Sequence, residues 1–331
     1  MKAILYNGFG GPEVLHLADA PLPAVRPDDL LVKVCAAGVN RADLSQRKGV
    51  YGTATDFGDS ALIGLEIAGE VVELGANVTG FKVGDRVMGV VGGGAYAEFA
   101  RIDYLMALHI PEELGYPEAA AIPEAFITAH EALIHLGGLA ADETVLIHAA
   151  GSGVGTAAVQ LAALLRACAI ATAGSEEKLE RIRRLGAGHG INYKERDFHE
   201  EVMAVTEGRG ADVIIDFVGA PYFDRNIRSL ARGGRLVQVG LMGGGGAGAA
   251  SALPLETLLF RHLRIMGTVM KSRPLADKRA MTARFGQRWL PMFAARRLVP
   301  VIDSIFPFAK AAEAHQRMEQ NLNVGKIVLE M

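Results

Sequence analysis

Two hydrophobic patterns divide the chain. From Met1 to about Ile110, short alternating or apolar runs (Leu30 to Ala36, Ile63 to Leu74, Asp85 to Val91, Ala95 to Ala100) are separated by turn residues. Gly38, Gly69, Gly75, Gly80, Gly84 and the triplet Gly92-Gly93-Gly94 supply much of that punctuation. Strands at spacings of about 8 to 12 residues with such breaks predict a small antiparallel barrel or sandwich. After Pro111 the pattern alternates between helix and strand. Ala125 to Leu136 and Gly155 to Leu165 have helical character. Thr144 to His148, Ala169 to Ala173, Gly190 to Tyr193, Val213 to Val218, Arg235 to Gly240 and Leu263 to Gly267 are short apolar strands. Apolar strands alternating with helices predict a parallel sheet covered on both faces, an α/β architecture. A further helix is expected near Phe308 to Asn321. The last apolar run, Lys326 to Glu330, has no neighbouring strand of its own kind and is expected to return to the first domain.

Composition narrows the class. At 331 residues the chain is about twice a typical single domain. Half of it is hydrophobic and 21% charged, which excludes a disordered chain. The net charge of -3, without a basic block, argues against nucleic acid as the main partner. Cys35 and Cys168 are the only cysteines, too few for a disulfide framework or a thiolate zinc cluster. The longest apolar stretch, Ala157 to Ala173, is broken by Gln160 and Arg166 and falls short of a membrane span. A cytoplasmic protein without membrane association is the expectation.

The chemistry concentrates at Thr144-Val-Leu-Ile-His148-Ala-Ala-Gly-Ser-Gly-Val-Gly155, where small residues join a buried strand to a helix. A dinucleotide-binding turn needs this pattern, because the pyrophosphate must reach backbone N–H groups at the positive helix end. Counted from the strand, the fingerprint falls on Ala150, Ser152 and Gly155, so two of its three glycines are replaced by the next smallest residues. A frame starting at Gly151 and Gly153 leaves Thr156 in the third place. A plain glycine-rich turn is the alternative, weakened by the β-α units that follow. About twenty residues past Gly155, the strand Ala169 to Ala173 ends in Gly174-Ser175-Glu176-Glu177-Lys178. No carboxylate stands at the strand end. Room beside Gly174 and Ser175, with Lys178 nearby, suits a ribose 2′-phosphate and favours NADPH over NADH. Alternatively, Lys178 with Arg181, Arg183 and Arg184 is the solvated face of a helix.

Together with Gly-Val-Asn40-Arg-Ala-Asp43-Leu, Gly64-Leu-Glu66-Ile-Ala-Gly69, Ala121-Ile-Pro-Glu-Ala-Phe-Ile-Thr128-Ala and Asn323-Val-Gly-Lys-Ile-Val-Leu, the loop resembles the zinc-independent, zeta-crystallin-like quinone oxidoreductases. These belong to the medium-chain dehydrogenase/reductase superfamily, and the resemblance is nearest to the tumour-suppressor-inducible branch. It runs in order from end to end. It implies a Rossmann doubly wound parallel sheet inserted in a GroES-like β-barrel catalytic domain, with divisions at 1–122, 123–264 and 265–331 and an active site between the domains. Zinc-dependent alcohol dehydrogenases of the superfamily hold metal through a Cys where this chain has Asn40 and a His where it has Leu65. Neither replacement can supply those ligands, so no metal site is expected.

Carried over by residue, the resemblance places Asn40 and Thr128 beside the nicotinamide and Ser152, Gly153, Val154 and Gly155 on the pyrophosphate. Gly174, Ser175, Lys178 and Tyr193 would surround the adenosine phosphate. Gly240, Leu241 and Met242 would line the nicotinamide ribose and ring, and Asn323 and Lys326 would close the site. Tyr51 is the candidate to stack on or hydrogen-bond a quinone. Plainer readings stand beside these: Tyr51 as a half-buried turn aromatic, Thr128 as a helix residue bonding its own backbone, Asp43 and Glu66 as structural polar groups. Two local oddities remain. Leu165-Arg166-Ala-Cys168 lacks the glycine expected after the first Rossmann helix, and the loop Gly243 to Ala250 has no anchors and is expected to move.

The implied activity is NADPH-dependent reduction of quinones without zinc, in a homodimer or homotetramer. Quinones accept hydride readily, so proximity and orientation supply most of the acceleration. The alternatives are reduction of an enone double bond, which needs a better-placed proton donor, and a non-catalytic NADPH-binding role.

Overall fold

The computed structural model describes residues 1–50, 60–244 and 252–331. Tyr51 lies outside the described residues, as does nearly all of the loop expected to move. Packing divides the chain into two compact units, Met1–Ile127 with Lys271–Met331, and Thr128–Met270. The first unit opens with strands β1 (Lys2–Tyr6) and β2 (Leu15–Asp19), then β3 (Asp29–Val39), β4 (Glu66–Leu74), β5 (Arg86–Val90), β6 (Phe99–Asp103) and β7 (Ala107–His109). The second holds β8 (Thr144–Ile147), β9 (Cys168–Ala173), β10 (His189–Asn192), β11 (Ala211–Asp216), β12 (Leu230–Gln238) and β13 (Arg264–Gly267). The chain returns to the first unit through the helix Leu275–Ala294, β14 (Ile302–Pro307), the helix Ala311–Glu319 and β15 (Lys326–Glu330).

In the first unit β1 and β2 form an antiparallel pair, and the larger sheet runs β14-β15-β3-β4-β5-β7, with β6 joined to β3. Its ladders are antiparallel except β14 with β15. The expected antiparallel character is present. The final strand does return to this unit, pairing Ile327 with Val39 and Leu329 with Ala37. It is not without a neighbour of its own kind: β14, unmarked in the sequence pattern, lies parallel to it. Ile302–Pro307 alternates weakly and is only half-buried, so periodicity could not find it. The run Ala95 to Ala100 is strand only from Phe99. The backbone N–H groups of Gly94, Ala95 and Tyr96 bond Leu62, Gly64 and Ile63, which ties the segment into a turn.

The second unit is a fully parallel sheet in the order β10-β9-β8-β11-β12-β13. The order reverses between β8 and β11, and ligands of such sheets bind in the crevice beyond the strand ends at that point. Leu146, Ile170, Ile191, Ile214 and Leu236, one from each of five strands, share a core with Phe198, Val202 and Ile227 from the covering helices. The helix Gly153–Leu164 ends without its glycine because Arg166 itself takes φ 61°, a conformation that costs a non-glycine residue about 1 kcal/mol. Among the described residues no helix is long and apolar enough to cross a membrane.

Candidate functional site

The elements expected to hold a dinucleotide lie in the second unit. The helix Gly153–Leu164 starts at the carboxyl end of β8, and Ser152 caps it by accepting the Gly155 N–H at 3.0 Å. The first-turn N–H groups of a helix have no partners within it, and together with the helix dipole they attract an anion. Gly155 is required by packing: a Cβ there would sit 2.5 Å from the Ala149 carbonyl oxygen and 2.6 Å from Ala150 Cα. Ala149 takes φ 46°, so strained backbone concentrates in this turn. Gly151 is different. Its added Cβ would meet only the Lys178 and Ile182 side chains, at ordinary contact distance, which places the Lys178 stem across the loop.

At the end of β9, Ser175 caps the helix Glu176–Arg184 by accepting the Lys178 N–H at 3.4 Å. A Cβ on Gly174 would lie 2.8 Å from the Tyr193 hydroxyl, so the glycine makes room for that partly exposed ring. Ser152, Gly155, Gly174, Ser175, Lys178 and Tyr193 therefore form one rim. Arg183 and Arg184 belong to the solvated face: Arg183 pairs with Glu176 and Arg184 with Glu180. Across the switch point, the Gly240 and Met242 N–H groups bond the carbonyls of Asp216 and Phe217, and Leu241 and Met242 are half-exposed. Thr128 lies half-buried in the helix Pro123–His130.

Sequence reading missed the network behind these loops. Fully buried His148 bonds Thr172 Oγ1 through Nδ1 at 3.1 Å and Asn226 Oδ1 through Nε2 at 2.8 Å. The Asn226 amide donates to Asp216, whose carboxylate also accepts the Val218 and Gly219 N–H groups. Burial pushes the His148 pKa down to about 4. Neutral His148 must then donate from Nε2, fixing the turns after β8 and β11 to one another. Isolated polar residues on strands carry no periodic signal, so only the fold reveals this chain.

The first unit concentrates Asn40 and Lys326 with two residues that the sequence left as structural. Lys326 Nζ donates to Asn40 Oδ1 at 2.5 Å and Glu66 Oε2 at 2.6 Å, and all three side chains are buried. Glu66 Oε1 accepts the Glu124 N–H at 2.7 Å. A side chain at Gly38 would collide with the Glu66 carboxylate, which explains that glycine. Asp43 reaches back to cap its helix, Arg41–Arg47, accepting the Asn40 N–H at 2.8 Å. The Asn40 amide oxygen is thus held by Lys326, while its Nδ2 donates to the Gly38 carbonyl at 3.2 Å and to Glu66 Oε2 at 3.3 Å. Asn323 is also buried, but its Nδ2 donates to the Gly325 carbonyl within its own turn.

Burial pushes the Asp43 carboxyl up to about 7 and that of Glu124, which also faces Glu66, up to about 7. His315 falls to about 3 through burial and the nearby Arg47. Between about pH 4.5 and 6.5 unfolding releases the protons of Asp43 and Glu124, which makes stability fall with rising pH, and lets His148 and His315 gain one each, which makes it rise. Asp43→Asn removes one of the released protons. Its stability is expected to change with pH more positively than that of the parent by up to about 1.4 kcal/mol per unit across that window, as denaturant titration of both at several pH values would show.

A parallel sheet with a small-residue strand-to-helix turn at its switch point, joined to a mainly antiparallel unit that resumes after it, defines a medium-chain dehydrogenase/reductase. Residues 26–112 match the alcohol dehydrogenase GroES-like domain and residues 153–285 the family described as zinc-binding dehydrogenase. Human quinone oxidoreductase is 32% identical over 99% of this chain and 97% of its own length. The chain belongs to the zeta-crystallin-like quinone oxidoreductase family, and it is a nicotinamide-dependent oxidoreductase. Two solved structures superpose over all of both chains. An NAD-dependent alcohol dehydrogenase does so at TM-score 0.87 with 34% identity, and Escherichia coli quinone oxidoreductase complexed with NADPH at 0.86 with 27%. Zinc does not fit here. Leu65 offers no donor, and the Lys326 ammonium already satisfies Asn40 and Glu66. Among the described residues no three His, Cys, Asp or Glu side chains are grouped for a metal ion.

Proposed function

We propose that this protein reduces quinones with NADPH. The observation that carries the cofactor choice is the end of β9. It terminates in Ala173, Gly174 and Ser175 with no carboxylate, while the Lys178 stem crosses the loop at Gly151. A carboxylate at that strand end would bind the ribose hydroxyls of NADH and repel a 2′-phosphate. The small residues also let the elements close up, since a Cβ at Gly155 would meet the Ala149 carbonyl oxygen at 2.5 Å and one at Gly174 the Tyr193 hydroxyl at 2.8 Å. The nicotinamide supplies the hydride. Ser152 to Gly155 would seat the pyrophosphate, with Ser175, Lys178 and Tyr193 at the 2′-phosphate and Gly240 to Met242 at the nicotinamide ribose. Asn40, held by Lys326, and Thr128 would orient the carboxamide, with Asn323 bracing the turn before Lys326. Tyr51 remains the proposed contact for the acceptor ring.

The acceptor reading rests on the donor set. Lys326 donates to both Asn40 and Glu66, so these two residues are not left to hold a Lewis acid. A quinone needs none, and takes a hydride and one proton to become the hydroquinone. We read the active unit as a homodimer or homotetramer acting on small molecules in the cytoplasm.

The test is oxidation of NADPH and, separately, NADH after dialysis against a chelator, with an ortho-quinone, a para-quinone and an aliphatic enone. Chelator-resistant turnover of the quinones that favours NADPH is expected, with the preference lost in Lys178→Ala. Turnover of the enone alone would replace the acceptor. Equal use of NADH by the parent would overturn the role of Lys178.

A further inference from the structure

One buried chain of side chains in the first unit has no part in the reading above. Arg47 is fully buried on the helix Arg41–Arg47, and its Nη2 pairs with Glu319 at 2.7 Å. Its Nη1 lies 3.3 Å from His315 Nδ1; His315 Nε2 lies 3.2 Å from the Tyr96 hydroxyl; and that hydroxyl donates to Asp43 Oδ2 at 3.0 Å. Arg47, His315, Tyr96 and Asp43 are each fully buried.

The directions of these bonds are forced. A guanidinium only donates, so His315 Nδ1 accepts and Nε2 carries the hydrogen. Tyr96 then accepts from His315, and its own hydrogen goes to Asp43. Asp43 Oδ2 thus receives two donors, Tyr96 and the Asn40 N–H. Its Oδ1 is buried with no hydrogen-bond partner. A proton on Oδ1 disturbs no bond already made, and removing it leaves an unsolvated charge. Burial places that exchange in the neutral range.

The charged and titratable groups around Asp43 are Lys326 and Glu124, with Tyr96, His315 and Arg47 along the chain and Glu66 beyond Lys326. Lys326 is the cation that favours the Asp43 anion. It is also the donor that holds Asn40 Oδ1. Ionised Asp43 therefore competes for the ammonium that fixes Asn40.

We propose that Asp43 is a proton-switched positioning residue. Protonated on Oδ1, it leaves Lys326 to hold the Asn40 amide; ionised, it draws Lys326 away, and the chain Arg47–His315–Tyr96 sets where the change occurs. Only the kinetic consequence rests on the function proposed above: kcat falls severalfold as pH rises through the neutral range while KM for NADPH is unchanged.

The test is amide NMR of the intact nitrogen-15-labelled protein between about pH 6 and about pH 8, beside the pH profile of kcat. The backbone N–H of Asn40 is expected to titrate in the parent with the midpoint of kcat. Tyr96→Phe removes one donor to the ionised carboxylate and shifts both midpoints upward by about half a unit or more. Asp43→Asn abolishes the Asn40 titration, whereas Glu124→Gln retains it. An Asn40 signal that is flat in the parent, or that titrates alike in Asp43→Asn, would overturn the proposal. Should the variants fail to fold, the parent still decides, because a hydrogen on His315 Nδ1 contradicts the forced direction. Absence of quinone turnover with an intact Asn40 titration would strike the function and leave the proton switch standing.

Discussion

Lys326→Met is expected to destabilise the protein by about 3 to 5 kcal/mol, the usual cost of stranding a buried charge. The Glu66 carboxylate is fully buried. Without the ammonium at 2.6 Å it keeps only the backbone N–H of Glu124 and the Asn40 amide, a weaker contact at 3.3 Å. Replacing both partners behaves differently. In Lys326→Met with Glu66→Gln no charge is left unpaired, so the double variant is expected to recover much of the loss. A denaturant-based double-mutant cycle measures this directly. If the two losses simply add, the pair is not the unit described here. The same cycle separates stability from function, since the double variant folds while its Asn40 amide has lost the donor that fixes it.

Gly155→Ala is expected to cost about 1 to 3 kcal/mol in stability and to weaken dinucleotide binding at least about tenfold. The added methyl group meets backbone on the facing turn, at 2.5 Å from the Ala149 carbonyl oxygen. Backbone cannot rotate away as a side chain can, so the helix start must move off the turn and carry its first N–H groups with it. Gly151→Ala is the internal control. Its methyl meets the Lys178 and Ile182 side chains at ordinary contact distances of 3.5 to 3.9 Å and no backbone, so it is expected to stay within about 0.5 kcal/mol of the parent. Fluorescence titration with NADPH alongside thermal unfolding tests both. Equal effects at the two glycines would mean that loop flexibility, rather than close packing, governs the site.

The two classes of residue differ in how far the sequence reveals them. The parallel sheet was legible because its strands are continuous apolar runs and its helices repeat at their own period. The turn from β8 into the helix Gly153–Leu164 was legible as well, since small residues between a buried strand and a helix are a local pattern. The return of Lys326–Glu330 to the first unit followed from its apolar character, but its partner Ile302–Pro307 did not, being half-exposed along its length. Arg166 shows the limit of local rules: a missing glycine predicted an uncertain helix end, yet an arginine accepts the left-handed turn at modest cost.

The sequence by itself determined the class of fold and the small-residue turn from β8 into its helix, because each is carried by contiguous residues, whereas the replacement of zinc ligands at Asn40 and Leu65 followed from the resemblance to zinc-dependent relatives. The tertiary structure alone decided what Asn40 does with its side chain. Its side-chain partners come from three separate elements, Gly38 on β3, Glu66 on β4 and Lys326 from the far end of the chain, while Asp43 on the helix Arg41–Arg47 takes its backbone N–H. No spacing in the sequence links positions 40 and 326. The reason is physical: an isolated Asp, Glu or Lys reads as a surface residue until the fold removes it from water, and only then must it find a partner of opposite charge.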